Sequence, residues 1–394
     1  MKKTVVIIFL SLSIQTFAQL KSGFIKEEAR DMIALCNSFT FLDLYKSDSE
    51  IIPKNYKKIY TSGVFGMDNK YQIYLNGNTA IINVRGSTAK KISWLENINS
   101  AMIPAKGTII TKEDTFNYCF ANHPKAAVHT GFALGVAFLR ADLLHQIKNL
   151  NKDGIYNFIL TGHSQGGALC NLLRSYFEHL PAGVISEKNN FKTYTFAAPM
   201  VGNKEFNEEY SKLYCENLSS FNVVNPSDPI PTMPLSYNNT NYVGENLKNL
   251  IFERESFSLK KTVSDGLVLL FEENVSKVVK KFGESTTQQI KKEVGDVTIP
   301  EYAEDINYHK VCNVIEIFPA FYPRILKDST ILQNDSLMTV YKRGSDGYFV
   351  NKELYKKEPW GYQHKPYNYY VSILLQYFPE DYKKLRRTYL EENL

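Results

Sequence analysis

The chain has 394 residues, 44% of them apolar, and a formal net charge of +5 at pH 7. That is enough to bury a large core in one big domain or two. The charge is too mild to imply a nucleic-acid partner, and no basic stripe carries interleaved aromatics. Five cysteines (Cys36, Cys119, Cys170, Cys215, Cys312) are scattered without a CxxC pair or metal-like spacing, so no metal site is expected and an odd count leaves at least one thiol over.

At the start, Lys2-Lys3 precede an apolar run, Val5 to Ile14, that is too short to span a bilayer, and Thr16-Phe17-Ala18 offers small residues for a signal peptidase. The pattern predicts a signal peptide over 1–18 and an exported protein over 19–394, periplasmic or extracellular. No Cys follows the junction, which argues against a lipid anchor. No later apolar run is long enough for a transmembrane helix.

Strand and helix signals then alternate. Phe24 to Tyr45 contains an amphipathic helix. Tyr71–Leu75 and Thr79–Val84 read as a strand pair turned by Asn76-Gly77-Asn78. Thr108–Thr111 reads as another short strand. Gly131 to Leu150 is a long helix, followed by a buried strand at Ile155–Leu160 and a helix from Ala168 to Leu180. Strand Phe191–Phe196, a helix around Lys204–Asn217 and strand Phe221–Val224 complete the alternation. Such a pattern means a mostly parallel sheet with helices on both faces, an α/β fold whose ligands bind beyond the carboxyl ends of the strands.

From about 243 to 305 the chain turns charged and helical. Val263, Leu267, Leu270, Phe271, Val275, Val278 and Phe282 fall on one stripe, and Gly283 is the expected stop. This is read as a helical insertion that packs on the sheet domain, with contact to a lipid surface or gating of the pocket as the alternative. Strand signals return at Val311–Phe318, then in a hairpin of Ser336–Lys342 and Tyr348–Val350, before a last helix at Tyr367–Phe378.

The segment Thr161-Gly162-His163-Ser164-Gln165-Gly166-Gly167 stands between a strand and a helix. Gly-x-Ser-x-Gly in that setting is a nucleophile elbow, a strained turn that lifts a serine hydroxyl above the sheet edge. The hydroxyl needs a base, and the base needs a carboxylate to fix its tautomer. Asp228, just past strand Phe221–Val224 in a loop stiffened by prolines, is the expected acid. Of seven histidines, only His309 and His364 follow it. His364, in the loop before the last helix, is preferred over His309, which leads into a strand. His163 should point away from the reaction; His123, His145 and His179 read as solvated or packing, and His129 as a local hydrogen-bonding residue. The backbone N–H of Gln165 is the first expected oxyanion donor, and Ser87, after strand Thr79–Val84, the second.

Five segments in one order resemble the class 3 lipase family of α/β-hydrolases: Ile81–Ser87 (IINVRGS), Val128–Phe132 (VHTGF), Phe158–Leu169 (FILTGHSQGGAL), Tyr194–Asn203 (YTFAAPMVGN) and Phe221–Pro234 (FNVVNPSDPIPTMP). The resemblance covers about Asn69 to Pro234 well and the rest loosely. It implies Ser164 as nucleophile, Asp228 as acid, His364 as base and Ser87 with Gln165 as oxyanion hole, while a histidine placed like His309 is structural. It also implies a lid, a short helix after the Arg-Gly-Ser segment, which Lys90 to Met102 fits with Ile92, Trp94, Leu95, Ile98 and Met102 on an apolar face, Trp94, Leu95 and Ile98 being the lid candidates. Gln165 departs from the family's leucine, and Ala197-Ala198 from its glycine and serine. The expected protein is a secreted serine lipase or carboxylesterase, acting without metal or cofactor on glycerolipid or other acyl esters, with transient contact to a lipid interface. A phospholipase A1, an aromatic-acyl esterase and a non-catalytic binding protein on a hydrolase scaffold are the alternatives.

Overall fold

A computed structural model of the protein describes residues 20–234, 275–311, 313–333 and 340–393. The leader and most of the stripe, from Val263 to Phe271, lie outside them. In chain order the strands are β1 (Lys57–Thr61), β2 (Tyr71–Asn76), β3 (Thr79–Val84), β4 (Met102–Pro104), β5 (Lys106–Thr111) and β6 (Thr115–Cys119). They continue with β7 (Ala127–His129), β8 (Asn157–His163), β9 (Asn190–Phe196), β10 (Ser220–Val224), β11 (Val297–Thr298) and β12 (Val314–Glu316). The helices that matter here are α1 (Lys26–Cys36), α2 (Ser38–Tyr45), α3 (Lys91–Ile98), α4 (Thr130–Lys152), α5 (Gln165–Glu178), α6 (Lys204–Tyr210), α7 (Val275–Val294) and α8 (Pro366–Tyr377).

The main sheet runs β1-β2-β3-β8-β9-β10-β12, parallel from β3 onward and antiparallel at β1 and β2. All seven residues of β8 are buried, as befits a central strand covered on both sides. Its side chains alternate. Phe158 and Leu160 join the core under α4 and α5, while Ile159 joins Tyr194, Phe196 and Phe221 under α1 and α8. The parallel register sets Val84 beside Gly162, and His163 beside Phe196, which faces Val223 in turn. The carboxyl ends of β3, β8 and β10 therefore open on one rim, carrying the loops of Ser87, Ser164 and Asp228.

The expected alternation holds, with local differences. Edge strand β1 (KKIYT) alternates exposed and half-buried residues, so its lysines hid it in the sequence. Beyond α6 the backbone widens into a π-helical turn at Ser211–Cys215 instead of continuing as one helix. The strand expected over 311–318 contracts to β12 on the sheet edge. Of the expected hairpin, residues 336–339 lie outside the described residues, and the rest forms only a single bridge, Arg343 to Phe349, where Gly347 turns the chain at φ +79°. Cys36, Cys119 and Cys170 are free thiols and Cys215 is disulfide-bonded. Among the described residues no helix is long and apolar enough to cross a membrane.

Helix α7, the described part of the insertion, packs on the domain. Ile290 is fully buried in the main core, Asn99 Nδ2 donates to Thr287 Oγ1 at 3.1 Å, and β11 pairs with β5. Gly283 does not stop this helix, as expected from the sequence, but lies inside it. A methyl group there would fall 2.6 Å from the Ala101 side chain and 3.1 Å from the Tyr302 ring. The stop is Gly295, at φ +88°, whose N–H bonds the Lys291 carbonyl at 2.9 Å. A glycine that permits close approach thus looks, in sequence, like one that ends a helix. Ala in place of Gly inside a helix normally gains roughly 1 kcal/mol, whereas overpacking costs about 1–3 kcal/mol. Gly283→Ala is expected to lower the denaturation midpoint; a raised midpoint would contradict the close packing.

Candidate active site

Ser164 sits between β8 and α5 with φ +56° and ψ −130°, a backbone region that non-glycine residues avoid. The surroundings hold it there. Its N–H bonds the Phe196 carbonyl at 2.9 Å, and its own carbonyl accepts from Gly167 N at 2.9 Å and Ala168 N at 3.1 Å. A methyl group at Gly162 would lie 2.4 Å from the Gly166 carbonyl carbon, and one at Gly166 would lie 2.2 Å from the Val84 carbonyl oxygen. Both glycines are therefore required by the crossing of backbones. Ala197, at φ +52°, occupies the left-handed region where the family resemblance leads one to expect glycine, and so carries a strain of roughly 1–2 kcal/mol.

Ser164, His364 and Asp228 meet. His364 Nε2 is 2.9 Å from Ser164 Oγ, and its Nδ1 is 2.8 Å from Asp228 Oδ2. With Nδ1–H donated to the carboxylate, Nε2 is left to accept from the serine hydroxyl. Asp228 is 3% exposed, and its other oxygen accepts from Ile230 N at 3.0 Å. A group the sequence did not flag completes this arrangement. The Tyr369 hydroxyl donates to Asp228 Oδ2 at 2.8 Å and accepts from Asn225 N at 3.0 Å. Burial, then the Asp228 charge, holds the Tyr369 phenol well above its usual range, so it stays a donor. Asn225 Nδ2 also reaches Gln363 Oε1 at 2.8 Å, which ties the acid loop to the loop of His364.

The other histidines fall elsewhere. His309 pairs its backbone N–H with the Gly202 carbonyl at 3.0 Å, in a bridge that fixes the β7 edge. His163 is buried beside His364, with ring centroids 4.8 Å apart; burial, then the charge of a protonated His364, holds it well below its usual range. His129 caps α4 by accepting from Phe132 N at 3.3 Å, and burial lowers its value to about 3. His179 is within reach of Glu209, and His145 of Asn149. His123 accepts from Lys125 N.

The segments that carry the two expected oxyanion donors are in contact. A methyl group at Gly86 would lie 2.7 Å from the His163 carbonyl oxygen and 3.6 Å from Ser164 Cβ, so the loop of Ser87 rests on the elbow. Asn97 Nδ2 lies 2.9 Å from Ser87 Oγ and 3.0 Å from Gln165 Oε1. Of the expected lid residues, Leu95 is 1% exposed within the core shared with α4, Ile98 packs beside it and Trp94 is half-buried. The helix ends at Ile98, and Met102 belongs to β4. One turn of α3 also inserts Glu96, fully buried, against α4: a methyl group at Gly135 would lie 2.3 Å from its Oε1.

A mostly parallel sheet, helices on both faces and a serine elbow at its rim define an α/β-hydrolase. Residues 81–238 match the class 3 lipase family, described as Lipase (class 3). No curated protein matches the chain. Among solved structures, a triacylglycerol lipase described as having a serine protease triad is 19% identical over 54% of this chain and 77% of its own, with a TM-score of 0.40. The lipase of Rhizopus microsporus var. chinensis is 19% identical over 54% of this chain and 71% of its own, with a TM-score of 0.40. Lipase II from Rhizopus niveus is 17% identical over 54% of this chain and 77% of its own, at 0.39.

Burial raises the Glu96 carboxyl from 4.5 to about 8, against hydrogen bonds from Asn69 and Gln165 that lower it. The folded protein thus keeps this proton to higher pH than the unfolded chain does. Its contribution to stability is full below about 4.5 and falls as pH rises through about 8. Glu96→Gln cannot ionise, so the melting temperature of this variant is expected to fall less than that of the natural protein across that window. Equal slopes would contradict a buried, neutral Glu96.

Proposed function

We propose that the protein is an exported serine ester hydrolase that cleaves acyl esters, glycerolipids foremost, through Ser164, His364 and Asp228. The observation that carries this reading is the single imidazole bonded on one side to a serine hydroxyl at 2.9 Å and on the other to a buried carboxylate at 2.8 Å. As the Ser164 oxygen attacks the ester carbonyl, its proton passes to His364 Nε2 and the carbonyl oxygen becomes an oxyanion. Asp228 stabilises the imidazolium without taking its proton. The oxyanion is met by the N–H of Gln165 and by Ser87. Collapse of the tetrahedral adduct breaks the ester C–O bond, and the proton on Nε2 goes to the departing alcohol. Water, activated by the same imidazole, then releases the acid and restores the serine.

Beside His364 lies a cavity of about 210 Å³ lined by Ser227, Pro229, Ile230, Pro359, Trp360 and Gly361, among others. Ile230, Pro359 and Trp360 suit a hydrocarbon group of the ester. The class 3 lipase match supports acyl esters as the substrate class, and the charged, apolar, small-residue order of the leader supports export.

Ser164→Ala is expected to lower kcat by on the order of 10⁴-fold or more on nitrophenyl esters. The panel should run from short to long acyl chains and include emulsified triglyceride and phospholipid, since its profile reports the preferred ester. Turnover undiminished by the substitution would remove Ser164 as the nucleophile.

A further inference from the structure

The residue after a nucleophilic serine contributes its backbone N–H to the oxyanion, so its side chain is free to vary. Gln165 is nevertheless 1% exposed, and burying an amide costs about 1–3 kcal/mol unless it is fully bonded. An apolar side chain of that length would fill the space without such a requirement.

The amide is bonded at both ends. Gln165 Nε2 donates to Asn69 Oδ1 at 3.2 Å, and Asn69 Nδ2 donates in turn to Glu96 Oε2 at 2.8 Å. On the other end, Gln165 Oε1 accepts from Ser93 Oγ at 3.1 Å and from Asn97 Nδ2 at 3.0 Å. Asn97 Nδ2 reaches Ser87 Oγ at 2.9 Å, and Ser93 Oγ accepts from the N–H of Thr88, the residue after Ser87, at 3.1 Å. The network therefore starts at a carboxyl in the core, passes through the Gln165 amide and ends on the loop of the second oxyanion donor.

Its direction has a chemical consequence. The two hydrogens of Asn97 Nδ2 face three acceptors, Ser87 Oγ at 2.9 Å, the Ser93 carbonyl at 2.9 Å and Gln165 Oε1 at 3.0 Å; when Gln165 and Ser87 take them, the Ser87 oxygen is an acceptor on that side and its own hydrogen turns elsewhere. The loop of Ser87 lies against the elbow, with Gly86 over the His163 carbonyl. A hydroxyl held in that way can give its hydrogen to a negative oxygen forming at Ser164, with little reorganisation at the moment of reaction.

We propose that the Gln165 side chain, anchored by Asn69 and Glu96, is a positioning residue that fixes Asn97 and through it aims the Ser87 hydroxyl at the oxyanion. The proposal rests on the serine hydrolase reading and adds to it a role for the side chain of Gln165. It also gives α3 a task in the closed-packed position: the helix carries Ser93, Glu96 and Asn97, so seating it in the core assembles the oxyanion loop.

The test is a double-mutant cycle with a dissolved ester, nitrophenyl acetate, read as kcat and KM. Ser87→Ala is expected to lower kcat on the order of 10²-fold, and Gln165→Leu, which keeps the backbone N–H, by about tenfold or more with KM within about twofold. If Gln165 acts through Ser87, the double variant is no more than about twofold slower than Ser87→Ala alone. A purely structural role for Gln165 predicts losses that multiply. Multiplying losses, or a Gln165→Leu enzyme with undiminished kcat, would overturn the proposal. Should Gln165→Leu fail to give a cooperative thermal transition, Asn97→Ala with and without Ser87→Ala runs the same cycle with the same two outcomes. Ser164→Ala measured alongside separates the two levels. An inactive Ser164→Ala with multiplying losses refutes the positioning role alone, whereas an active Ser164→Ala refutes the hydrolase reading beneath it.

Discussion

The pair of hydrogen bonds made by the His364 ring sets the requirement that the rest of the molecule meets. Each bond spans a few ångströms, yet the partners are 200 and 136 residues away along the chain. Holding them requires that three loops leave one rim of one sheet at fixed positions. The parallel register of β3, β8, β9 and β10 provides the rim, and cross-links between loops provide the alignment. Asn225 reaches Gln363, Tyr369 reaches Asp228, and Gly86 rests on the His163 carbonyl. The candidate site is thus held from several sides by elements that are not themselves part of it.

Local strain is the counterpart of that arrangement. Ser164 and Ala197 both hold positive φ values beyond the ends of neighbouring strands, and Glu96 holds a carboxyl in the core. Each lowers stability where it stands, by strain or by desolvation, and each lies in or next to the candidate site. The large two-sided core around β8, one side under α4 and α5 and the other under α1 and α8, supplies the stability that tolerates them.

Much of this was legible from residue order. The elbow announced itself because its glycines are dictated by backbone contact, which leaves a fixed spacing in the sequence. Asp228 stands out by its place just past a strand and His364 as a histidine after it, before the last helix, and the side chains of both meet beside Ser164. What stayed hidden has physical reasons. Tyr369, Asn225 and Asn97 act by pairing with partners distant in sequence, and no local spacing encodes such a pair. Nothing in the sequence marks Glu96 as buried, yet it lies against Gly135 of α4. Gly283 was misread because an interior glycine chosen for close approach and a helix-ending glycine share one letter. In α3 Leu95 lies in the core and the polar residues beside it reach the loop of Ser87, a pairing that the apolar spacing alone does not encode.

The most direct examination of the proposed nucleophile is covalent. Treatment of the natural protein with a fluorophosphonate, followed by proteolysis and mass mapping, should find one adduct per chain, on the peptide that contains Ser164. His364→Ala should slow its formation by orders of magnitude. No adduct, or an adduct on another residue with Ser164 unmodified, would mean that the imidazole at 364 does not activate this hydroxyl.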